Sequence, residues 1–159
     1  MISIIAARHE HEATISGFQS RMAKETESIF LNATVLSRGV RNVLDNPERG
    51  EYRLALAGKE VVGCLMITYE WSDWRNGYFV WIQSVYVVPQ WRRKGVFRQL
   101  YSDVLKEVDS RPDWLGIRLY VEKDNATARK VYAELGMRDD RYVMYERLYS
   151  DDNNMNKQI

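Results

Sequence analysis

Residues 85–100 read VYVVPQWRRKGVFRQL, and the character of the chain changes twice within them. The β-branched run at the start is typical of a buried strand, and Pro89 ends it because proline has no N–H to donate within a sheet. A basic turn follows, and the apolar spacing after Gly95 is that of an amphipathic helix. The stretch therefore predicts a strand, a basic turn and a helix.

The start of this helix predicts an anion site. The first N–H groups of a helix have no partner within it, and the positive end of the helix dipole lies there. Four basic side chains gather at the same place, namely Arg92, Arg93, Lys94 and Arg98. Gly95 has no Cβ, so the backbone can come close to a bulky phosphate. The alternative interpretation is a basic turn that only caps a surface helix.

Residues 125–137 carry a second pattern. At about 100° per residue, Asn125, Ala128, Tyr132 and Gly136 fall on one strip of a helix. A core face normally carries Leu or Ile, so an amide, a methyl group and a phenol in one row indicate that a slender ligand lies along the helix. The alternative is a close contact of Ala128 with the sheet, with Tyr132 as a core aromatic whose hydroxyl is satisfied.

The two patterns together resemble the GNAT superfamily of acyl-CoA-dependent N-acetyltransferases. Residues 92–97 resemble its pyrophosphate-binding signature Gln/Arg-x-x-Gly-x-Gly/Ala, with Phe97 at the last, usually small, position. A ring there would narrow the phosphate site or shift the adenine end of the cofactor. Residues 125–137 resemble the second motif, Asn-x-x-Ala-x-x-x-Tyr-x-x-x-Gly-Phe, with Met137 in place of Phe. The resemblance extends over residues 2–148.

The resemblance implies transfer of an acetyl group from acetyl-CoA to an amine in a ternary complex. Backbone groups of Val85, Tyr86 and Val87 would pair with the pantetheine, and one of their N–H groups would polarise the thioester carbonyl. Asn125 would contact the pantetheine arm, and Tyr132 would be the general acid that protonates the leaving sulfur. The pyrophosphate would lie on the turn and helix start, so the predicted cofactor-binding residues there are Arg92, Arg93, Lys94, Gly95, Val96, Phe97 and Arg98.

The general base is not evident from the sequence. An alkylamine is protonated at neutral pH and must lose a proton before it attacks. Some relatives carry Glu on the fourth strand where this chain has Trp81, and Gln83 cannot ionise. The remaining candidates are Glu27, Glu70 and Asp73, although each has the alternative of being an ordinary solvated carboxylate. We favour Glu27, which would lie where the first two helices meet, a region that shapes the acceptor site in the resembling family.

Aromatic residues are concentrated near two of these acids, at Trp71, Trp74, Tyr78 and Trp81. Aromatic faces beside carboxylates suit a cationic amine. The alternative is a hairpin whose aromatics pack across strands or form the interface of a homodimer. We therefore predict a small-molecule or peptide amine as acceptor, bound by Glu70, Trp71, Asp73, Trp81 and Gln83.

Length and composition predict a single domain. A chain of 159 residues can bury one core and has no Pro/Gly/Ser-rich linker, so we expect one domain over 1–149 and a disordered tail over 150–159. The 23 basic and 22 acidic residues nearly cancel, which argues against nucleic acid or an anionic membrane as a partner. His9 and His11 lack further ligands for a metal. With one cysteine, Cys64, and neither a long apolar run nor a signal-peptide pattern, we expect a cytoplasmic protein.

The order of predicted elements gives the fold class. Apolar periodicity and turn residues predict a strand over 2–7, helices to about 27 and over 35–44, strands over 52–57, 60–69 and 78–88, a helix over 95–110, a strand over 116–121, a helix over 125–135 and a strand over 142–149. This order predicts an α+β fold with one central mixed, mostly antiparallel sheet and helices on both faces. It is also the order of the GNAT fold.

Two other functions are compatible with these patterns. One is a non-catalytic acetyl-CoA-binding regulatory module, against which the presence of Tyr132 argues. The other is a nucleic-acid binder that uses the basic turn for phosphates and the tryptophans for base stacking. The balanced net charge argues against the latter.

Overall fold

A computed structural model describes residues 1–147 of the chain. The sheet has the strand order β1-β2-β3-β4-β5, formed by Ile2–Ala6, Glu51–Ala57, Glu60–Ser72, Gly77–Val87 and Trp114–Arg118. Neighbouring strands are antiparallel except for β4 and β5, which are parallel. The predicted mixed, mostly antiparallel sheet is confirmed.

Helices cover both faces of the sheet, as predicted. The four helices are α1 (Glu12–Glu27), α2 (Ala33–Asp45), α3 (Val96–Ser110) and α4 (Ala126–Glu134). Helix α1 contacts the side chain of Cys64 on β3, whereas Val96 of α3 lies against Gly63, the preceding residue. Successive residues of a strand point to opposite faces, so α1 and α3 lie on opposite sides of the sheet.

Local sequence explains where two of the helices begin. The side-chain oxygen of Asn32 accepts hydrogen bonds from the N–H groups of Thr34 and Val35 at 3.0 and 3.1 Å, which satisfies the free donors at the start of α2. Helix α3 begins after Gly95, whose φ of 77° lies in the left-handed region that glycine adopts without strain. The basic turn and the helix start therefore occur where the sequence predicts them.

The terminal strand predicted over 142–149 is wrong where it can be described. Residues 142–147 form no strand, and Tyr142, Val143, Met144 and Tyr145 have exposed side chains. The run of apolar and aromatic residues over 142–145 indicates a strand, but a strand also needs a partner, and β5 ends at Arg118 rather than near residue 121. The predicted end of this strand and the predicted disordered tail lie outside the described residues.

We expect two glycine substitutions to act in opposite directions on stability. Gly50 has a φ of 142°, and a Cβ there would clash with the carbonyl oxygen of Ile67, so Gly50→Ala should lower the free energy of unfolding by about 2 kcal/mol or more. Gly39 lies within α2 with nothing within 4 Å of an added Cβ, so Gly39→Ala should raise it by about 0.5–1 kcal/mol. Urea denaturation of both variants measures the two changes, and equal shifts would contradict this account.

Candidate active site

Strand β4 contains a bulge, and its pairing with β5 ends a few residues before this bulge. On β3, Cys64 pairs with Tyr86 and Met66 with Gln83, so two residues of β4 lie opposite one of β3. The bulge includes Ser84, whose φ is 51°. The parallel pairing of β4 with β5 stops at Trp81, so within residues 1–147 the β5 side of β4 has no strand partner over 82–87. A strand edge of this kind offers backbone donors and acceptors to an extended ligand.

The turn before α3 presents a row of backbone donors. Arg93 and Gly95 both have positive φ, 60° and 77°, and such alternation curls the backbone so that successive N–H groups line one concave surface. Within the described part of the chain, none of the N–H groups of residues 93–98 has a hydrogen-bond acceptor. A Cβ at Gly95 would have nothing within 4 Å, so the space beside the turn is open. The arrangement is suited to a phosphate.

The basic side chains of the turn are partly engaged by the protein. Arg92 donates from Nε to the carbonyl oxygen of Val87 at 2.9 Å and from Nη2 to Glu25 at 2.5 Å. Arg98 pairs with Glu134 at 3.4 Å. An anion at this turn would therefore meet backbone amides first, and the predicted contact of the Arg92 side chain with a cofactor stays a prediction.

Phe97 and Tyr132 contact each other across α3 and α4. Their rings meet edge to face with centroids 5.6 Å apart, and Phe97 also lies 6.2 Å from the ring of Tyr101. Burial raises the pKa of Tyr132 above its ordinary value, so its hydroxyl stays protonated at neutral pH. No acceptor or donor within residues 1–147 bonds to that hydroxyl. Tyr132 is thus held by ring contacts and keeps a proton to donate.

The side chain of Asn125 caps α4. Its oxygen accepts a hydrogen bond from the N–H of Ala128 at 3.0 Å, which explains why the helix begins at Ala126. The cap uses the oxygen and leaves the amide N–H groups of Asn125 as donors. The predicted contact with a pantetheine arm would therefore be made through the nitrogen.

Three of the predicted acceptor residues lie together on the sheet face that α1 covers. The carboxylate of Glu70 accepts hydrogen bonds from the Trp81 indole and from Arg118, the latter at 2.8 Å. Gln83 donates to the hydroxyl of Thr68 at 2.8 Å. These contacts form a half-buried polar surface along β3 and β4, next to the open edge of β4.

The other predicted acceptor and base residues lie elsewhere. Trp71 follows Glu70 on β3 and so points to the opposite face, where its ring is 4.8 Å from that of Tyr78. This contact is the cross-strand aromatic packing that was the alternative to an amine site. Asp73 lies in the hairpin turn and accepts a hydrogen bond from the N–H of Trp74 at 2.9 Å. Glu27 is the exposed last residue of α1.

Two residues at the site were missed by sequence reasoning. Gln19 is 5% exposed, and its amide nitrogen lies 3.3 Å from the carbonyl oxygen of Ser84. Glu25 accepts a hydrogen bond from the Tyr86 hydroxyl at 3.2 Å. A polar Gln beside Phe18 on the core-facing side of α1 was the available signal, whereas nothing local distinguished Glu25 from Glu27.

Residues 1–147 contain neither a side-chain cluster placed to hold a metal ion nor a membrane-spanning helix. Residues 1–147 contain no group of three or more His, Cys, Asp or Glu side chains placed to hold a metal ion. His9 lies 3.4 Å from Asp45 instead, and His11 accepts a hydrogen bond from the N–H of Arg8. None of the described helices combines the length and the apolar character needed to cross a bilayer.

Comparison with known proteins gives one family. Residues 16–137 match the model of the acetyltransferase (GNAT) family. The solved structure of a possible acetyltransferase from Clostridium difficile 630 is 43% identical, with a TM-score of 0.88 over 94% of this chain and 98% of that chain. None of the curated proteins matches the sequence.

Two more distant structures share the fold and contain cofactor-related ligands. AAC(6')-Iy in complex with the bisubstrate analog CoA-S-monomethyl-acetylneamine is 15% identical, with a TM-score of 0.77 over 94% of this chain and 99% of that chain. A predicted acetyltransferase with acetyl-CoA from Clostridium acetobutylicum is 20% identical, with a TM-score of 0.73 over 92% and 96% of the two chains. At these identities the likeness concerns the fold.

We expect Cys64 to make the folded state less stable at alkaline pH. Burial raises the pKa of this thiol to about 12, whereas the thiol of an unfolded chain ionises near pH ~8.5. The folded state therefore retains a proton that the unfolded state releases, and stability falls as pH rises between these values, by about 1.4 kcal/mol per pH unit from this group. Cys64→Ala should reduce the slope by that amount in urea denaturation from pH 7 to 11. Parallel slopes for parent and variant would contradict the expectation.

Proposed function

The chain belongs to the GNAT acetyltransferase family, and we propose that it moves an acetyl group from acetyl-CoA to an amine by direct attack in a ternary complex. The observation that carries the proposal is the row of unpaired amides over residues 93–98 beside the open edge of β4. One surface can thus take a pyrophosphate while the adjacent edge takes an extended, amide-containing arm. Pantetheine pyrophosphate has both parts in that order.

The donor is proposed to lie along β4. Backbone groups of Val85, Tyr86 and Val87 would pair with the pantetheine amides, which brings the thioester beside the bulge. An N–H there would point at the carbonyl oxygen and stabilise the negative charge that develops when the amine attacks. The amides of residues 93–98 would hold the pyrophosphate, with Arg93 and Lys94 adding charge.

The proton balance assigns a role to Tyr132. The amine nitrogen forms a bond to the acetyl carbon, the carbon–sulfur bond breaks, the nitrogen loses a proton and the sulfur gains one. Because burial raises the pKa of Tyr132, its hydroxyl is protonated at working pH and can supply the proton to the sulfur. Tyr132 is also a reason to prefer an enzyme over a binding module.

The acceptor pocket is proposed on the sheet face that α1 covers, and the base is proposed at the end of α1. Glu70 has both oxygens engaged, by Trp81 and Arg118, so it serves as a wall of the pocket better than as a base. We retain Glu27 as the proposed base, acting directly or through water. The acceptor is a small-molecule or peptide amine that lies against Trp81 and Gln83.

Net charge, cysteine content and exposed aromatic residues bear on the partners and the location of the protein. The 23 basic and 22 acidic residues give no field that would recruit nucleic acid. We propose a cytoplasmic location, which is supported by a single cysteine that cannot form a disulfide within the chain. Trp71 and Trp74 are 51% and 88% exposed at the tip of the β3–β4 hairpin, which suits a homodimer contact.

The first test of the proposal is donor binding. Gly95→Val places a β-branched side chain at a φ of 77° and in the open space beside the amide row, so the Kd for acetyl-CoA should rise by about tenfold or more. Lys94→Gln removes one exposed charge and should change it by about threefold or less. Titration calorimetry measures both.

Gly58→Val is the matched control, because Gly58 also has a positive φ, 65°, and empty space beside it, but lies in the β2–β3 turn. An equal loss of affinity in Gly58→Val, or no binding by the parent at millimolar acetyl-CoA, would overturn the donor site. Binding without release of free thiol across a broad amine panel would instead favour the regulatory module.

The second test is Tyr132→Phe, which keeps the ring contact with Phe97 and removes only the hydroxyl. If this hydroxyl protonates the sulfur, kcat should fall by roughly 10² to 10⁴ while the Kd for acetyl-CoA stays near that of the parent. Turnover measured against pH, with a check that chemistry limits the rate, decides the matter. A kcat within threefold of the parent and an unchanged alkaline limb would reduce Tyr132 to a packing residue.

A further inference from the structure

Helix α1 contacts one short segment of β4 directly near its first end and reaches the second end through Arg92. The segment is Ser84–Val87, which the proposed function places beside the thioester. At the first end, the Gln19 amide nitrogen lies 3.3 Å from the carbonyl oxygen of Ser84 and 3.7 Å from the sulfur of Cys64. Within residues 1–147, Gln19 is the one buried side chain that carries an amide or a charge.

The buried contact of Gln19 lies at the bulge, where the backbone of β4 is irregular. Ser84 adopts a φ of 51°, which a residue with a Cβ adopts only when its surroundings hold it there. The bulge takes the backbone of Ser84 out of the regular ladder, so its carbonyl oxygen needs a donor from a side chain. Gln19 supplies such a donor from the neighbouring helix, and burial strengthens the bond. The Cys64 thiol, a weaker donor, lies 3.8 Å from the same oxygen.

At the second end, Glu25 acts through Arg92. The guanidinium of Arg92 donates to the carbonyl oxygen of Val87 at 2.9 Å and to Glu25 at 2.5 Å, and it lies 5.5 Å from the centre of the Tyr86 ring. The same carboxylate accepts a hydrogen bond from the Tyr86 hydroxyl at 3.2 Å. Glu25 thereby fixes the orientation of a side chain that holds the end of the strand.

The middle of the segment is held by ring contacts with the same helix. Phe18 lies 5.1 Å from Tyr86, centroid to centroid, and the guanidinium of Arg21 lies 5.8 Å from the Tyr86 ring. Side chains of α1 thus contact Ser84 and Tyr86, and Arg92, which Glu25 orients, contacts Val87. Two of these contacts end on backbone carbonyls, which set the direction of the neighbouring N–H groups.

We infer that α1 positions the thioester-binding segment of β4 through Gln19 and Glu25, which are positioning residues for acyl transfer. The inference rests on the proposed function, since it takes the amides of this segment as the groups that meet the thioester carbonyl. An oxyanion donor acts only at a short range and in a narrow direction, so a shift of about 1 Å in the bulge costs about 10²-fold in rate.

The test begins with Gln19→Met, which keeps the length and volume of the side chain and removes the donor. Expected results are a kcat lower by about 10- to 100-fold, a KM for acetyl-CoA within about threefold of the parent, and faster amide hydrogen exchange at 84–87. Gln19→Leu is the second variant if Gln19→Met does not fold. Ser16→Ala is the matched control, because the Ser16 hydroxyl is also buried on α1 but has no partner within residues 1–147.

The second arm is a double-mutant cycle of Glu25→Ala and Arg92→Ala. If Glu25 acts through Arg92, each variant lowers kcat to a similar extent and the double variant is no worse than either alone. If Arg92 instead binds the pyrophosphate, Arg92→Ala raises the Kd for CoA while Glu25→Ala does not, and the second end of the inference is overturned.

Amide hydrogen exchange and turnover together distinguish a failure of this inference from a failure of the proposed function. A lower melting temperature in Gln19→Met with kcat and exchange at 84–87 unchanged would make Gln19 a packing residue and overturn the inference. If the parent binds CoA but acetylates no amine, the proposed function fails, while faster exchange at 84–87 in Gln19→Met still establishes that Gln19 holds the segment.

Discussion

The bulge of β4 at Ser84 is the constraint on which the rest of the molecule depends. Before the bulge, Val80 and Ile82 are fully or almost fully buried on the α3 face, and after it Tyr86 packs against α1. The pairing with β5 ends at Trp81, opposite the last residue of β5, Arg118, so within residues 1–147 the bulged segment has no strand partner on that side. Because the bulge turns the strand, one continuous segment serves as the centre of the core and as the open edge of the candidate site.

Charge around the site is balanced locally. Arg92 faces Glu25, Arg98 faces Glu134, and Arg118 faces Glu70, so three of the arginines near the site are paired with carboxylates. Such pairs add little to stability when exposed, but they fix the geometry of long side chains. An anion is then attracted mainly by the oriented backbone amides of residues 93–98, whose direction is fixed by the turn and not by an ion pair.

The sequence predicted elements well and contacts between them less well. The strand, turn and helix over 85–100 and the capped helix after Asn125 follow from local periodicity, and both are present. The prediction of a terminal strand over 142–149 rests on its apolar and aromatic residues, which favour a strand but do not supply a partner. Gln19 and Glu25 contact residues more than 60 positions away, at Ser84 and Arg92, and no local pattern carries that information. Trp71 and Glu70 are adjacent in sequence, and the sequence predicts both as acceptor-binding residues. Adjacent residues of a strand point to opposite faces, so the two side chains do not share a site.

The parallel pairing of β4 with β5 has a consequence for how the chain folds. Strands β2, β3 and β4 are joined by short turns and pair through contacts that are close in sequence, so they can form early. β5 reaches β4 only after the chain has made the crossover through α3. Its contacts with β4 can therefore stabilise the fold only once this long loop has closed, which costs conformational entropy. The open edge of β4 lies at this junction. We therefore expect the region that would bind the cofactor to be among the last to fold, and a bound cofactor to favour the finished fold over the partly folded hairpin sheet.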